Sequence, residues 1–551
     1  MKKIIIFMII AALCGAGNAN VFAESRFSDV PSGSWAEDYI EKAAEYGLMQ
    51  GNDDGAFGYG NNVTRGEFAA VMSRMMKWKS QSGADMFDDI SSHWAREYAN
   101  CAAEYDAADE GGNFYPDKPL SRGEMAEFSV RSFGLRDAAG KAENQNVPFA
   151  DVTARQGYIK IARDMGIVNG MSDTEFSPDG NMTREQCAAV LVRIYEKIYP
   201  TDTFVHGFYA ISSYSQIGYA ENADAVSLGW ARMCYDGANG AYLCTTYENG
   251  NEYAFPDGYE GVVSRLHDRG VKLNLSVYAD CSAAEGERIS DLLKNTDSRN
   301  AAVSAIIEIL DEQEKIGNRF DGVTIDFEGL RGEEQKENFS AFLTLLKTRL
   351  DEKGRLLYTA VMPQTADGIY YGGYDFGKIG ELSDKIILMA HDYNAKSLEG
   401  FEGTQYYKNT ALTPMSAVYY SLKAACGETD SSKIMLAFSF SDIAWQTDEN
   451  GMLTSKDPIY PSLDTVKKRL AENLSGAGYS KTYRNPYLEY KTEDGQNIFL
   501  WYENERSISE KMAVARMFGV NSFSVWRFGI IPDSQNESLE FNAAKTLGLS
   551  R

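Results

Sequence analysis

Cations are in deficit in this 551-residue sequence, where 54 Lys and Arg face 79 Asp and Glu, giving a formal net charge of -25 and a pI near 4.7. Gripping nucleic-acid phosphates takes clustered Lys and Arg, so nucleic acid is excluded as a partner and any polyanion must be held locally. Histidine is scarce too, with four in all. His93, His206 and His267 show no HExxH or other ligand spacing, and neither a metal nor another cofactor is expected. Cysteine forms no CxxC pair. Cys101, Cys187, Cys234, Cys244, Cys281 and Cys426 are scattered, too thinly for a disulfide scaffold even in an exported chain, and read mostly as small buried apolar residues. Cys234 and Cys244 are close enough in sequence to be bridged, though nothing requires it. Long hydrophobic runs are missing as well. The run Ile4–Leu13 falls short of the ~20 residues a bilayer needs. It follows Met1-Lys2-Lys3 and leads to Val21-Phe22-Ala23 before Glu24, the pattern of a secretory signal peptide over residues 1–23. Leu13 stands where a small residue should precede a lipidated Cys14, so export without lipid, and no membrane in the mature form, is expected.

What is present is ordinary globular composition, 44% hydrophobic and 24% charged, in a chain too long for one core. The first third repeats with a period of about 60 residues. Phe27-Ser28-Asp29-Val30 recurs as Phe87-Asp88-Asp89-Ile90 and Phe149-Ala150-Asp151-Val152. Each opening leads into a helical pattern, Trp35 to Tyr46, Trp94 to Tyr105 and Gly157 to Met165. A second helix starts at Thr64-Arg65-Gly66-Glu67, Ser121-Arg122-Gly123-Glu124 and Thr183-Arg184-Glu185-Gln186. A hydroxyl residue with Glu or Gln three later is a capping box, which satisfies the first free N–H groups of a helix. The cap has a complete structural explanation. The Arg in every box does not, and at a helix N-terminus a guanidinium offers an anion site.

These repeats resemble three S-layer homology modules, spanning 24–84, 85–145 and 146–199, with the FxDV opening, Trp35 and Tyr39 or Trp94 and Tyr98, and a variant TRAE motif. The resemblance implies a helical pseudo-threefold bundle whose grooves bind pyruvylated secondary cell-wall polymer. Arg65, Arg122 and Arg184 would face its acidic groups, with Trp35 and Trp94 as groove aromatics. The third module has Gln156-Gly157 where Trp is expected, which weakens its groove. The implied location is the cell wall or S-layer of a Gram-positive-type bacterium.

From Phe204 onward short apolar runs alternate with amphipathic stretches, the pattern of a parallel sheet with crossover helices. Candidate strands are 204–210, 225–229, 272–278, 322–328, 356–362, 385–390, 434–439 and 522–526, eight in all, as a closed (β/α)8 barrel needs. The polar stretch 441–506 is expected to be an inserted α+β subdomain between the seventh and eighth strands. In Phe320–Leu330, Val323, Ile325 and Phe327 alternate with Thr324, Asp326 and Glu328, so the two acids share one face. A half-exposed antiparallel strand would read similarly. At the carboxyl ends of barrel strands, however, Asp326 and Glu328 would share a rim with Tyr278, Met362, His391, Asp392 and Trp526.

This half, 203–551, resembles a family-18 glycoside hydrolase. The match rests on Asp321 to Glu328 against DxxDxDxE, Leu273 to Val277, Met389-Ala390-His391-Asp392-Tyr393 against MxYD, and Trp526. Pro486 to Tyr490 and Trp501-Tyr502-Glu503 give it the look of the spore-cortex and peptidoglycan N-acetylglucosaminidases. The resemblance implies a retaining, substrate-assisted cleavage of a GlcNAc-containing polysaccharide, the exception to the two-carboxylate scheme. Glu328 would be acid and base, Asp326 its partner, His391 and Asp392 catalytic, and Trp526, Tyr278, Met389, Tyr393 and Met362 substrate-binding. Thr324 and His391 depart from the chitinase pattern, which has Asp and Tyr there. Two functions are therefore carried forward: a cell-wall-anchored glycosidase preferring peptidoglycan to chitin, and a weak or inactive glycan-binding surface protein.

Overall fold

The computed structural model describes residues 26–80, 83–237, 240–248, 251–282, 284–364 and 371–550; the expected signal peptide lies outside them. The amino-terminal third is helical, with α1 (Glu37–Glu45), α2 (Arg65–Met75), α3 (Arg96–Glu104), α4 (Arg122–Ser132), α5 (Arg136–Ala142), α6 (Gln156–Asp164) and α7 (Arg184–Ile198). The first two capping boxes form as written, Thr64 with Glu67 and Ser121 with Glu124; in the third the Thr183 amide donates to Gln186 Oε1 (3.2 Å), but Thr183 Oγ1 has no partner among the described residues. The repeated Asp of each opening has a structural task. Asp29 accepts from the amides of Phe57, Gly58 and Tyr59, Asp89 from those of Phe114 and Tyr115, and Asp151 from those of Phe176 and Ser177. Each thereby fixes a fully buried Phe in the loop before the second helix.

The three units close on one another through their arginines. Arg65 Nε donates to the Phe114 carbonyl of the second unit, Arg122 Nε to Phe176 of the third, and Arg184 Nε back to Phe57 of the first, each at 2.8 Å. Each guanidinium also lies over the ring of the Phe whose carbonyl it takes, at 5.1, 4.8 and 5.0 Å. Short bridges Asn62–Thr183, Thr64–Pro119 and Ser121–Asn181 complete the ring.

The rest is a closed barrel of eight parallel strands: β1 (Phe204–Tyr209), β2 (Ala225–Asp236), β4 (Lys272–Asp280), β5 (Gly322–Glu328), β6 (Leu356–Val361), β7 (Lys385–Leu388), β8 (Ile434–Ser439) and β13 (Ser522–Trp526). They pair in the order β1-β13-β8-β7-β6-β5-β4-β2, and β2 returns to β1. The outward face of β5 is apolar because helices cover it. Phe339, Phe342, Leu343, Leu346 and Leu350 of the helix Gly332–Asp351 are buried there, and Phe342 stacks on Phe327 at 5.4 Å.

One strand is longer than its pattern announces. β2 was expected to stop at Gly229, but the register merely shifts between Leu228 and Ala231, a bulge that a glycine accommodates. The strand continues to Asp236 and turns into an antiparallel hairpin with β3 (Gly240–Cys244). Cys234 and Cys244 are joined in a disulfide. Between β8 and β13 stands the expected α+β insertion. Its antiparallel sheet runs β10 (Ala477–Tyr479), β11 (Pro486–Lys491), β12 (Asn497–Trp501) and β9 (Ile443–Thr447), beside the helix Leu463–Glu472.

Candidate functional site

On β5, Thr324, Asp326 and Glu328 point into the barrel at successive levels, and only the last reaches the mouth. The strand ends abruptly after Glu328. Gly329 adopts φ +84°, and a Cβ there would lie 2.6 Å from that of Ser282. Three backbone contacts hold the acid in place: the Cys281 amide donates to the Glu328 carbonyl (2.7 Å), the buried Tyr374 hydroxyl donates to the Phe327 carbonyl (2.6 Å), and the β4 register sets Asp280 beside Glu328 and Tyr278 beside Asp326.

Asp326 is buried, and its Oδ1 has no partner among the described residues. Burial, then the Glu328 charge, pushes its carboxyl well above the usual range. Glu328 is likewise raised by burial and by Asp280 and Asp392, against the opposing pull of His391 and Lys396. Two acids so close in a dry site do not both ionise readily, so the pair retains a proton to higher pH than an isolated carboxyl. Proton donation by Glu328 is what this arrangement can supply.

Facing it, His391 Nδ1 pairs with Asp392 Oδ2 at 3.0 Å. Burial works against the Asp392 charge, but His391, the Ser439 hydroxyl and Lys396 outweigh it and hold the carboxyl below its ordinary value. Asp392 adopts φ +55°, a conformation that Asp tolerates better than most side chains. Trp526, Met362 and Met389 belong to one apolar cluster with Phe208, whose ring meets Trp526 edge-on at 5.1 Å. Tyr278 stands at the same end of β4. The Tyr393 hydroxyl shares a hydrogen bond with Ser421 Oγ (2.9 Å), on the helix Met415–Glu428, which ties that end of the ring to the scaffold.

Beneath the acids the barrel interior is polar and neutral. His206 lies between Ser524 Oγ (2.8 Å) and Ser227 Oγ (2.7 Å), and Ser227 bonds Thr324 Oγ1 (2.6 Å). Burial alone drives His206 down to about 3, so it is uncharged at every working pH. Thr324 thus belongs to a hydroxyl chain, and Glu328 is the carboxylate that acts on Asp326.

Sequence reasoning missed Tyr253, Asp280, Lys396 and Tyr374. Tyr253 stacks on Tyr278 with centroids 4.5 Å apart and planes 9° from parallel. A cavity of about 770 Å³ runs from Asp392 and Lys396 toward Tyr460 and Lys467 of the insertion, room for a small ligand. Among the described residues, no cluster of three or more His, Cys, Asp or Glu could hold a metal ion, and no helix is long and apolar enough to cross a membrane.

In the bundle, Trp35 and Trp94 are 59% and 57% exposed. The arginines are occupied: besides the Phe carbonyls, Arg184 pairs with Glu67 (2.6 Å) and Arg65 with Glu124 (3.2 Å), whereas Arg122 donates to the Asn169 carbonyl.

A closed parallel barrel with a buried acid pair at its carboxyl rim, over an aromatic and methionine floor, defines a glycoside hydrolase of the (β/α)8 class. The sequence model of glycosyl hydrolases family 18 matches residues 198–529, and the S-layer homology domain matches 26–69, 87–126 and 148–188. The chain belongs to family 18 of the glycosyl hydrolases and carries three S-layer homology domains. It is 27% identical to the cortical fragment-lytic enzyme of Bacillus anthracis over 235 residues, 42% of this chain and 51% of that protein. The spore cortex-lytic enzyme SleL of Bacillus megaterium QM B1551 aligns with a TM-score of 0.49 at 18% identity, covering 71% of this chain and 81% of that one. A chitinase from Chromobacterium violaceum ATCC 12472 aligns with 0.48 at 19%, covering 64% and 100%. The chain spans about half the length of the curated relatives it matches.

Proposed function

We propose that the protein is an exported, cell-wall-anchored glycosidase that cleaves β-1,4 bonds of a GlcNAc-containing glycan, peptidoglycan in preference to chitin, by a substrate-assisted retaining mechanism. The observation that carries the reading is half-buried Glu328 at the barrel mouth, its carboxyl pushed up by burial, beside buried Asp326. Glu328 gives its proton to the glycosidic oxygen as the acetamido carbonyl of the substrate attacks the anomeric carbon, expelling the leaving sugar and forming an oxazolinium ion. Asp326, with an unpartnered Oδ1, accepts the acetamido N–H and offsets the positive charge. His391, oriented by Asp392, donates to the acetamido oxygen. Water then attacks the anomeric carbon while the Glu328 carboxylate takes its proton, restoring the acid with retained configuration. Trp526 lies under the sugar, with Met362, Met389 and Tyr278 around it.

The preference for peptidoglycan rests on the anchoring modules, which keep the enzyme at the wall, and on the likeness to a cortical fragment-lytic enzyme. Trp35 and Trp94 are exposed for contact with a pyruvylated polymer, and the guanidinium edges of Arg65, Arg122 and Arg184 would receive its acidic groups. Mass spectrometry after incubation with purified peptidoglycan and with N-acetylglucosamine oligomers tests the assignment. Products are expected from wild type and none from Glu328→Gln; equal product from the variant refutes the mechanism. The second reading, a glycan-binding protein without turnover, is favoured by Thr324 sitting in a neutral hydroxyl chain. Binding without any hydrolysis by wild type would select it.

A further inference from the structure

Tyr253 reaches the acid pair from outside the barrel. Its loop leaves β3 at Cys244 and rejoins the core at Phe255, whose amide donates to the Thr245 carbonyl (3.0 Å) and whose ring packs on Trp230 and Tyr259 (5.6 and 4.8 Å). Between these points Asn251, 8% exposed, acts as a clasp. Its Nδ2 donates to the carbonyls of Thr246 and Tyr253 (2.9 Å each), and its Oδ1 accepts from the Tyr253 amide (3.2 Å). Tyr253 is thereby laid flat on Tyr278, the neighbour of Asp326. Burial, and then Asp326 and Glu328, push its phenol up, so it stays protonated and lies in the field of both acids. A sugar delivered to Glu328 meets this two-ring wall, and the C–H face of a pyranose packs well on an aromatic surface.

The two ends of the loop are secured differently. The Phe255 end is packed into the core. The Cys244 end belongs to β3, the edge strand of the sheet, which pairs with β2 alone; none of its residues is fully buried, though Ala241 and Leu243 pack against the core. An edge strand held on one side opens more readily than a central one, and a cross-link limits how far it can part from β2. Cys234–Cys244 supplies that link directly before the loop begins.

We propose that Tyr253 is a sugar-contacting residue of the cleft, and that the Cys234–Cys244 disulfide holds this contact in place by closing the hairpin from which its loop hangs. The inference rests on the glycosidase reading above, but its test separates the two.

The full-length chain is assayed on N-acetylglucosamine oligomers, oxidised and after dithiothreitol, whose two thiols pass two electrons and two protons to the Sγ–Sγ bond and close into a ring disulfide. Cys101, Cys187, Cys281 and Cys426 are already thiols, so reduction acts on one bond among the described residues. Reduction, Cys234→Ser/Cys244→Ser and Tyr253→Ala are each expected to raise KM about tenfold with kcat within about twofold. Reducing Tyr253→Ala adds nothing further, and Tyr253→Phe, which keeps the ring, holds KM within about twofold. A KM indifferent to reduction overturns the clamp; a KM unchanged in Tyr253→Ala, or a loss confined to kcat, overturns the contact. Calorimetric binding of the same oligomers to Glu328→Gln, oxidised and reduced, repeats the comparison without turnover and covers variants that fold poorly. If wild type hydrolyses nothing, the catalytic reading falls, while reduction-sensitive affinity still upholds the clamp and insensitive affinity overturns it.

Discussion

Asp280 and Lys396 pull the Glu328 proton in opposite directions: Asp280 raises the pKa of that carboxyl and Lys396 lowers it. A general acid works while protonated, so with Glu328 in its proposed role the basic limb of kcat/KM follows the raised Glu328 value and activity is lost as pH climbs through it. Lys396→Ala should therefore move that limb to higher pH, and Asp280→Asn should move it to lower pH. Shifts in the same direction, or none, would remove Glu328 from the role of acid. At this scale Asp326, Glu328 and Trp526 were legible from their places on strands, while His391 and Asp392, which lie beyond the end of β7, were legible through the MxYD pattern. Asp280 was hidden because β4 was expected to stop at Tyr278, although the alternation simply continues for one more inward residue. Tyr253 gave no signal. Its position depends on a hairpin, a disulfide and the Asn251 clasp, none of which leaves a periodic trace.

The helices of the bundle were legible for a local reason, since a capping box is complete within four residues. Ring closure was not, because the partner of each arginine lies in another unit. Module by module the staple has two strengths. Arg65 and Arg184 reach the capping-box carboxylates Glu124 and Glu67, while the third unit has Gln186 at that place and Arg122 donates, among the described residues, to the carbonyls of Phe176 and Asn169. Hydrogen bonds to charged groups contribute ~1.5–3 kcal/mol against about 1 for neutral ones. Arg184→Ala should therefore lower stability in urea by about 2–3 kcal/mol, and Arg122→Ala by about 1 kcal/mol less. Equal losses would mean that the carboxylate adds nothing to the staple.

At the scale of the molecule, the bundle and the barrel are in direct contact. Arg484, 1% exposed, extends from the insertion into the bundle, where Nη2 donates to the carbonyls of Tyr105 (2.8 Å) and Arg131 (3.2 Å). It passes Gly134, where a Cβ would lie 2.5 Å from its Nε. Arg506 lies over both Tyr105 and Tyr479, at 4.4 and 3.9 Å. Elsewhere Asp164 accepts from Tyr419 and Lys423, and Lys197 donates to the Met517 carbonyl. The short connection at 199–203 allows proximity. The contact itself was illegible, because most of its acceptors are main-chain carbonyls that any sequence possesses, and Asp164 finds its donors far along the chain. Wild type is expected to melt in one calorimetric transition. Arg484→Ala, which removes the donor to the Tyr105 carbonyl and leaves the Arg131 carbonyl with the Gly134 amide, should cost about 2–4 kcal/mol and resolve two transitions. Two transitions already present in wild type would show that the contact does not couple the halves.

On the wall-anchored glycosidase reading proposed above, that fused contact also sets the working range of the enzyme. A catalytic head on a long tether sweeps a sphere of wall around its mooring, whereas a head bolted to its mooring serves only the strands that pass within one molecular breadth. Once those are trimmed, further cutting waits on growth of the wall or release of the anchor. Abundance at the surface, more than turnover by each molecule, then governs how much of the wall is worked.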